Sequence, residues 1–221
     1  MNTSTKLAVA ICMLALAGCA STTTIDDYRP TTEPIRIQSH EKVAVLGRRD
    51  AGHYETDTSF ISCLGNQLNG SHFEVVSEQE FIDALYPWFE PRTAPKGIKR
   101  LRQLMADPAV KQKVMAENIR YLVWLDGEVE SAGHAGTMSC GLGPTGGGCF
   151  GYASWDKNVF FEAVVWDLAD LTEEARIRVD AEGTSYVIGI VAPIPLISPV
   201  KSQACEGMGD KLRSYFAEEV S

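Results

Sequence analysis

The alternation of apolar and polar residues predicts helices and strands in a definite order, starting near residue 41. KVAVLG, Lys42–Gly47, is a continuous apolar run typical of a central strand. A helix with apolar residues at i, i+4 and i+8 follows (Phe60, Leu64, Leu68), and residues 73–76 predict a second strand. The sequence S-x-x-E at Ser77 predicts a capped helix, because serine and glutamate at this spacing cap each other's backbone N–H groups.

The second half of the chain predicts two short helices, three strands and a final helix. The two helices share residues 97–119, and Asp107-Pro108 marks the start of the second. Strands are predicted over 121–131, 159–168 and 175–187, and an amphipathic helix over 201–220. In the last strand, Ile177 and Val179 should face the core while Arg176 and Arg178 face water.

The resulting order is β-α-β-α-α-β-β-β-α. Helices and strands alternate early in the chain, and a three-strand meander follows. This order predicts an α+β (α/β) fold with a single mixed sheet and helices packed mainly on one face. We expect one folded domain over residues 41–221. Residues 19–40 are polar, rich in threonine and without periodicity, and they predict a flexible tether.

The first eighteen residues have the pattern of a signal peptide. Lys6 is the one charge before an apolar run that is too short for a permanent membrane helix. The sequence LAGC that ends at Cys19 resembles the bacterial lipobox. The resemblance implies cleavage after Gly18, lipidation of Cys19 and, because no aspartate follows, an outer-membrane lipoprotein anchored at the periplasmic face. An ordinary signal peptide with a chance cysteine is the alternative.

Four cysteines remain in the mature chain after Cys12 is cleaved off and Cys19 is set aside for lipid: Cys63, Cys140, Cys149 and Cys205. An even number in an oxidising compartment favours two disulfide bonds, for which three pairings exist. The short separation favours Cys140–Cys149, which leaves Cys63–Cys205. A zinc site is the alternative, but zinc ligands usually occur as C-x₂₋₄-C pairs, which this sequence lacks.

The segment CGLGPTGGGC, which ends at Cys149, contains a G-x-G-x-x-G sequence. A dinucleotide-binding loop must open a helix so that the phosphates meet the helix N-terminus. Here no helical pattern follows. We therefore predict a glycine-rich excursion between two strands, closed at its base by the Cys140–Cys149 disulfide bond.

Charge and motifs exclude several function classes. The encoded chain has a net charge of −9, and loss of Lys6 leaves 19 basic and 29 acidic residues, hence −10. Such a balance argues against nucleic acid binding. Seven basic residues lie between Arg92 and Lys113 and predict either a patch for anionic partners or the solvated faces of two helices. The sequence has no histidines at metal-binding spacing, no G-x-S-x-G nucleophile elbow and no phosphate-binding loop. We therefore predict that the protein is not an enzyme and binds neither a metal nor a cofactor.

An uncharged stretch over residues 186–200, interrupted by three prolines, is the other feature of note. It predicts either an exposed loop that contacts lipid or a partner, or a buried crossover to the last helix. The candidate contact residues are Tyr186, Ile188, Ile190, Ile194, Leu196 and Ile197.

The anchor, the tether, the strand KVAVLG and the element order resemble the periplasmic domains of curli-secretion-type lipoproteins. They are also similar to the N-terminal α/β domain of the Tol-system propeller protein. These resemblances imply a non-catalytic role in envelope assembly, scaffolding or partner binding, with an envelope protein as partner. The alternatives are a small-ligand-binding module that uses Tyr152 and Trp155 for stacking, and a hydrolase of unknown type.

Overall fold

The computed structural model describes residues 21–50, 54–69, 73–90, 93–143, 146–189 and 193–218. Helices and strands alternate in the first half, and long strands dominate the second. The elements are β1 (Ser21–Tyr28), β2 (Ile35–Ile37), β3 (Lys42–Gly47), β4 (Arg49–Asp50), β5 (Tyr54–Glu55), α1 (Thr58–Leu68), β6 (Glu74–Val76), α2 (Glu78–Ala84), α3 (Ile98–Met105), α4 (Pro108–Ala116), β7 (Ile119–Gly143), β8 (Gly146–Asp167), β9 (Thr172–Gly189), β10 (Pro193–Leu196), α5 (Val200–Arg213) and β11 (Phe216–Glu218).

One mixed sheet carries the fold in the order β1-β9-β8-β7-β3-β6, and β10 also pairs with β9. Strand β3 is parallel to both β6 and β7, as a strand with helical crossovers on each side must be. The predicted α+β class and mixed sheet are therefore confirmed. Two small pairs, β2 with β11 and β4 with β5, lie outside this sheet.

The chain divides into two compact units. The ribbon unit contains the described residues of 21–23, 129–158 and 181–200, and the α/β unit contains those of 24–128, 159–180 and 201–218. Strands β7, β8 and β9 contribute residues to both units.

Helices cover both faces of the sheet in the α/β unit. Ala44 and Leu46 of β3 share a buried cluster with residues of α2, α3 and α4. Their neighbours Val43 and Val45 point to the opposite face, because side chains alternate along a strand. There α1 packs on the sheet, with the Phe60 ring stacked 3.6 Å from that of Phe161. Helices were expected mainly on one face of the sheet. Of the described helices, three lie on one face and two on the other.

Disulfide bonding holds α5 against α1. The Cys63–Cys205 bond joins the two helices, with 6.4 Å between the Cα atoms. A Cβ at Gly209 of α5 would lie 2.6 Å from the Gln67 Cβ of α1, so glycine permits this close helix contact. The predicted Cys63–Cys205 pairing is confirmed.

Helix starts follow the sequence signals. Ser77 and Glu80 form a complete capping box on α2, as predicted. The Asp107 side chain accepts from the Ala109 N–H, and Pro108 occupies the first turn of α4. Strand β9 also has the predicted faces, since Ile177 and Val179 are buried while Arg178 is exposed.

The flexible tether predicted for residues 19–40 is wrong where the structure describes that segment. Residues 21–28 form strand β1 beside β9, and residues 35–37 form β2. Asp27 of β1 accepts a hydrogen bond of 2.7 Å from the Tyr215 hydroxyl and pairs with Lys211 at 3.1 Å. Cys19 lies outside the described residues.

Candidate functional site

The β7–β8 hairpin of the ribbon unit is the candidate site. Its strands are antiparallel: Gly136 lies against the backbone of Tyr152, whereas Gly151, one position earlier on β8, lies against Thr137, one position later on β7. Both glycines have positive φ, 93° at Gly136 and 125° at Gly151. A Cβ at either position would collide with a carbonyl oxygen of the opposite strand. The glycine content of this segment therefore serves close backbone approach.

The Cys140–Cys149 disulfide bond closes the hairpin near its tip, with 4.0 Å between the Cα atoms. The predicted pairing of all four cysteines is confirmed. No helix follows the glycine-rich segment, because Gly146–Asp167 continues as strand β8. The segment is a clipped β-hairpin, as predicted, although its strands are much longer than expected.

Apolar side chains stand in solvent on this hairpin. Leu142 is 95% exposed, Phe150 64% and Tyr152 51%. Two of them flank the Cys140–Cys149 bond within two residues, so the clip holds the backbone from which they project. Exposed apolar side chains concentrated on one rigid element are typical of interaction surfaces. Leu142 and Phe150 were not predicted as contact residues, although an apolar residue inside a glycine-rich segment was the available signal.

The predicted contact loop also lies in the ribbon unit. Residues 193–196 form β10, antiparallel to β9, with Leu196 opposite Tyr186 and Ile194 opposite Ile188. Ile188 and Ile197 are exposed, and Tyr186 is half-buried. Ile190 lies outside the described residues. Prolines in β10 fit an edge strand, because an edge leaves one row of N–H groups unpaired.

Two pockets of the α/β unit bring polar side chains together. One has a volume of about 280 Å³ and joins His40, Glu41, Lys111 and Arg120 with an apolar wall from α4. The other, of about 460 Å³, lies between α1 and β6 and is lined by serine and asparagine side chains with Glu80. Neither is lined by Tyr152 or Trp155, the residues predicted to stack on a ligand.

Arg120, which lines the first pocket, is held by two ion pairs. Arg120 donates to Asp167 at 2.6 Å and to Asp170 at 3.2 Å. Burial alone would lower the pKa of Arg120, but interactions with Asp167 and Tyr121 together outweigh it and raise that pKa. Burial, together with the negative charge of Asp167, raises the pKa of the neighbouring Tyr121 to about 12. These contacts hold the start of β7 in place.

The basic residues between Arg92 and Lys113 lie largely on α3 and α4. Arg102 donates to the Leu171 carbonyl at 3.0 Å, and Lys113 pairs with Glu117 at 3.6 Å. Arg92 lies outside the described residues. Within the described ranges no three His, Cys, Asp or Glu side chains are grouped to hold a metal ion. In the same ranges no helix has the length and apolarity needed to cross a membrane.

Comparisons with solved structures give remote likenesses. No protein-family profile matches the chain, and no curated protein does. Among solved structures the chain is similar to the PelC dodecamer from Paraburkholderia phytofirmans, with 15% identity, a TM-score of 0.38 and coverage of 90% of this chain and 100% of that one. A point variant of the same dodecamer gives 14% identity, a TM-score of 0.38 and coverage of 87% and 96%.

Proposed function

We propose that this protein is an outer-membrane lipoprotein, anchored through Cys19 at the periplasmic face. Its role is non-catalytic: it binds an envelope protein partner through the tip of the β7–β8 hairpin and thereby serves envelope assembly. The lipobox-like sequence and the two disulfide bonds support the compartment, because disulfides persist where proteins are exported into oxidising conditions.

The observation that carries the partner-binding role is the exposure of Leu142, Phe150 and Tyr152 beside the Cys140–Cys149 bond. A fixed hairpin loses little conformational freedom on binding, so its apolar side chains can contribute most of their burial free energy to affinity. Leucine and aromatic side chains fit an apolar groove on the partner, where such residues act as anchors.

Site-specific photo-crosslinking in intact cells tests this role. A photoreactive amino acid replaces Tyr152, and the matched control carries it at Tyr86, which is 67% exposed on the α/β unit. We expect position 152 to yield a defined protein adduct that position 86 does not yield. The same adduct should diminish when Leu142→Glu and Phe150→Glu are added.

Two results would contradict the proposal. One is identical adducts from positions 152 and 86, which would indicate random collision. The other is an adduct whose yield does not respond to the two charged substitutions. Because both side chains are exposed, these substitutions should leave the thermal unfolding midpoint unchanged, which circular dichroism can verify. Mass spectrometry of the mature N-terminal peptide tests the anchor separately.

A further inference from the structure

Ser21 is the first residue of β1, the strand that pairs with β9. A Cβ at Gly183 of β9 would lie 3.1 Å from the Ser21 Cβ and 2.6 Å from a methyl group of Val200. All three residues belong to the ribbon unit. Ser21 therefore packs directly on the β9 backbone, in space that only a glycine leaves open.

Strands β1 and β10 share one edge of β9, because β8 occupies the other. The β10 pairing ends with Leu196 opposite Tyr186, whereas Ser21 lies at Gly183. Three residues of β9 span about 10 Å. The start of β1 and the end of β10 therefore lie close together, and we call this place the edge junction (Ser21, residues 183–186 and residues 197–200).

Ile197 is the exposed apolar residue of the edge junction. Its side chain is 61% exposed, while the next residue, Ser198, is 4% exposed. The Ser198 N–H donates to the Ser185 hydroxyl at 3.1 Å and ties this segment to β9. The backbone is thus held in place, and Ile197 projects from it into solvent.

Covalent geometry limits the distance between the edge junction and the proposed lipid. Two peptide bonds separate Cys19 from Ser21, so their Cα atoms are at most about 7 Å apart in any conformation. A flexible linker of twenty residues would instead allow separations of about 25 Å. Acyl chains on Cys19 therefore bring the edge junction to the bilayer surface.

Charge indicates the type of lipid surface. Glu182 is exposed beside Gly183, and Asp156, which accepts from the Thr184 hydroxyl at 2.6 Å, is exposed on the neighbouring strand. These carboxylates and the overall acidic chain disfavour attraction to anionic headgroups. Apolar insertion beside zwitterionic headgroups is the contact that this surface permits.

We propose that the edge junction lies directly on the bilayer and that Ile197 enters the interface between zwitterionic headgroups and acyl chains. This inference rests on the proposed lipidation of Cys19 and adds to it a fixed membrane-facing surface.

The test uses the full acylated chain in phosphatidylcholine vesicles. A photoreactive amino acid replaces Ile197, whose exposure makes the substitution compatible with folding, and lipid adducts are quantified by mass spectrometry. The matched variant carries the same residue and a twenty-residue Gly/Ser spacer between Ala20 and Ser21. We expect a lipid adduct at position 197 whose yield falls at least about threefold with the spacer, since the spacer widens the accessible range from about 7 to about 25 Å.

The outcomes separate this inference from the anchor itself. An acylated N-terminus with no lipid adduct at position 197 would overturn the membrane-facing junction and leave the anchor intact. Equal adduct yields with and without the spacer would overturn the role of the short connection. An unacylated mature N-terminus would overturn both proposals. Near-ultraviolet circular dichroism of both variants, matching the unmodified protein, establishes that they are folded.

Discussion

Removal of the Cys63–Cys205 bond should destabilise the protein more than removal of the Cys140–Cys149 bond of the hairpin. The two cysteines are 142 residues apart in sequence, against 9 residues for Cys140 and Cys149. On the chain-entropy account, a bond that closes the longer loop stabilises the fold by about 5 kcal/mol, and the shorter one by about 3 kcal/mol. Replacement of both partners by alanine in each pair avoids stray thiols, and a small apolar side chain suits the buried helix face on which Cys205 lies.

Urea denaturation followed by far-ultraviolet circular dichroism measures the difference. With a slope of about 2 kcal/mol per molar urea, the Cys63→Ala/Cys205→Ala variant should unfold roughly 2.5 M earlier than the unmodified protein. The hairpin variant, Cys140→Ala/Cys149→Ala, is the matched control and should shift by about half as much. Equal shifts, or a larger shift for the hairpin variant, would refute the reasoning that the long loop dominates.

Three further changes test individual contacts. Gly136→Ala should destabilise the ribbon by about 1–3 kcal/mol, because its φ is positive and a Cβ meets a carbonyl oxygen, whereas Gly141→Ala, with open space around the Cβ, should be near neutral in the same urea assay. In the Tyr121→Phe variant, the free energy of unfolding should fall less steeply with rising pH. The raised pKa of Tyr121 means that the neutral hydroxyl stabilises the fold below pH 10, a contribution that is lost as pH rises from 10 to about 12 and that rapid alkaline melts can follow. Asp27→Asn should reduce the dependence of stability on pH below pH 4: the Tyr215 hydrogen bond and Lys211 lower the Asp27 pKa, so its contribution is present above the unfolded value and disappears as pH falls through the folded one. An unchanged acid profile in this variant would contradict that role.

The sequence predicted those elements whose stability comes from hydrophobic burial. Strand β3 was predicted from a continuous apolar run, and helix α1 and the inward face of β9 from apolar periodicity. All three contribute to the core. Capping signals at Ser77 and Asp107 were equally reliable, because a cap depends on residues adjacent in sequence. The pairing of the cysteines followed from their number and spacing.

Strands held mainly by backbone hydrogen bonds to a neighbouring strand were either not predicted or predicted too short. Strand β1, STTTIDDY, has one aliphatic residue, so its composition resembles a linker, although threonine is a good strand former. It is an outer strand of the sheet and depends on its neighbour β9 more than on burial. The glycine-rich parts of β7 and β8 lack periodicity for a related reason, since many of their side chains face solvent and close backbone approach replaces packing. Such pairings depend on a distant segment that local pattern does not reveal.

If Cys19 carries lipid as proposed, strand β1 changes how the folded part is held at the membrane. With a tether of some twenty residues, the folded part would move freely near the membrane, and no surface would be assigned to lipid. With one residue, Ala20, between Cys19 and Ser21, the proposed anchor is joined to the ribbon itself. The hairpin tip at Gly146 then lies ten residues along β8 from Asp156, beside the edge junction, a distance of about 33 Å along the strand. If Ile197 contacts lipid and Leu142 contacts a partner, the ribbon acts as a rigid spacer between the two, and insertion of residues before Ser21 should weaken partner crosslinking at the tip as well as lipid crosslinking at the junction.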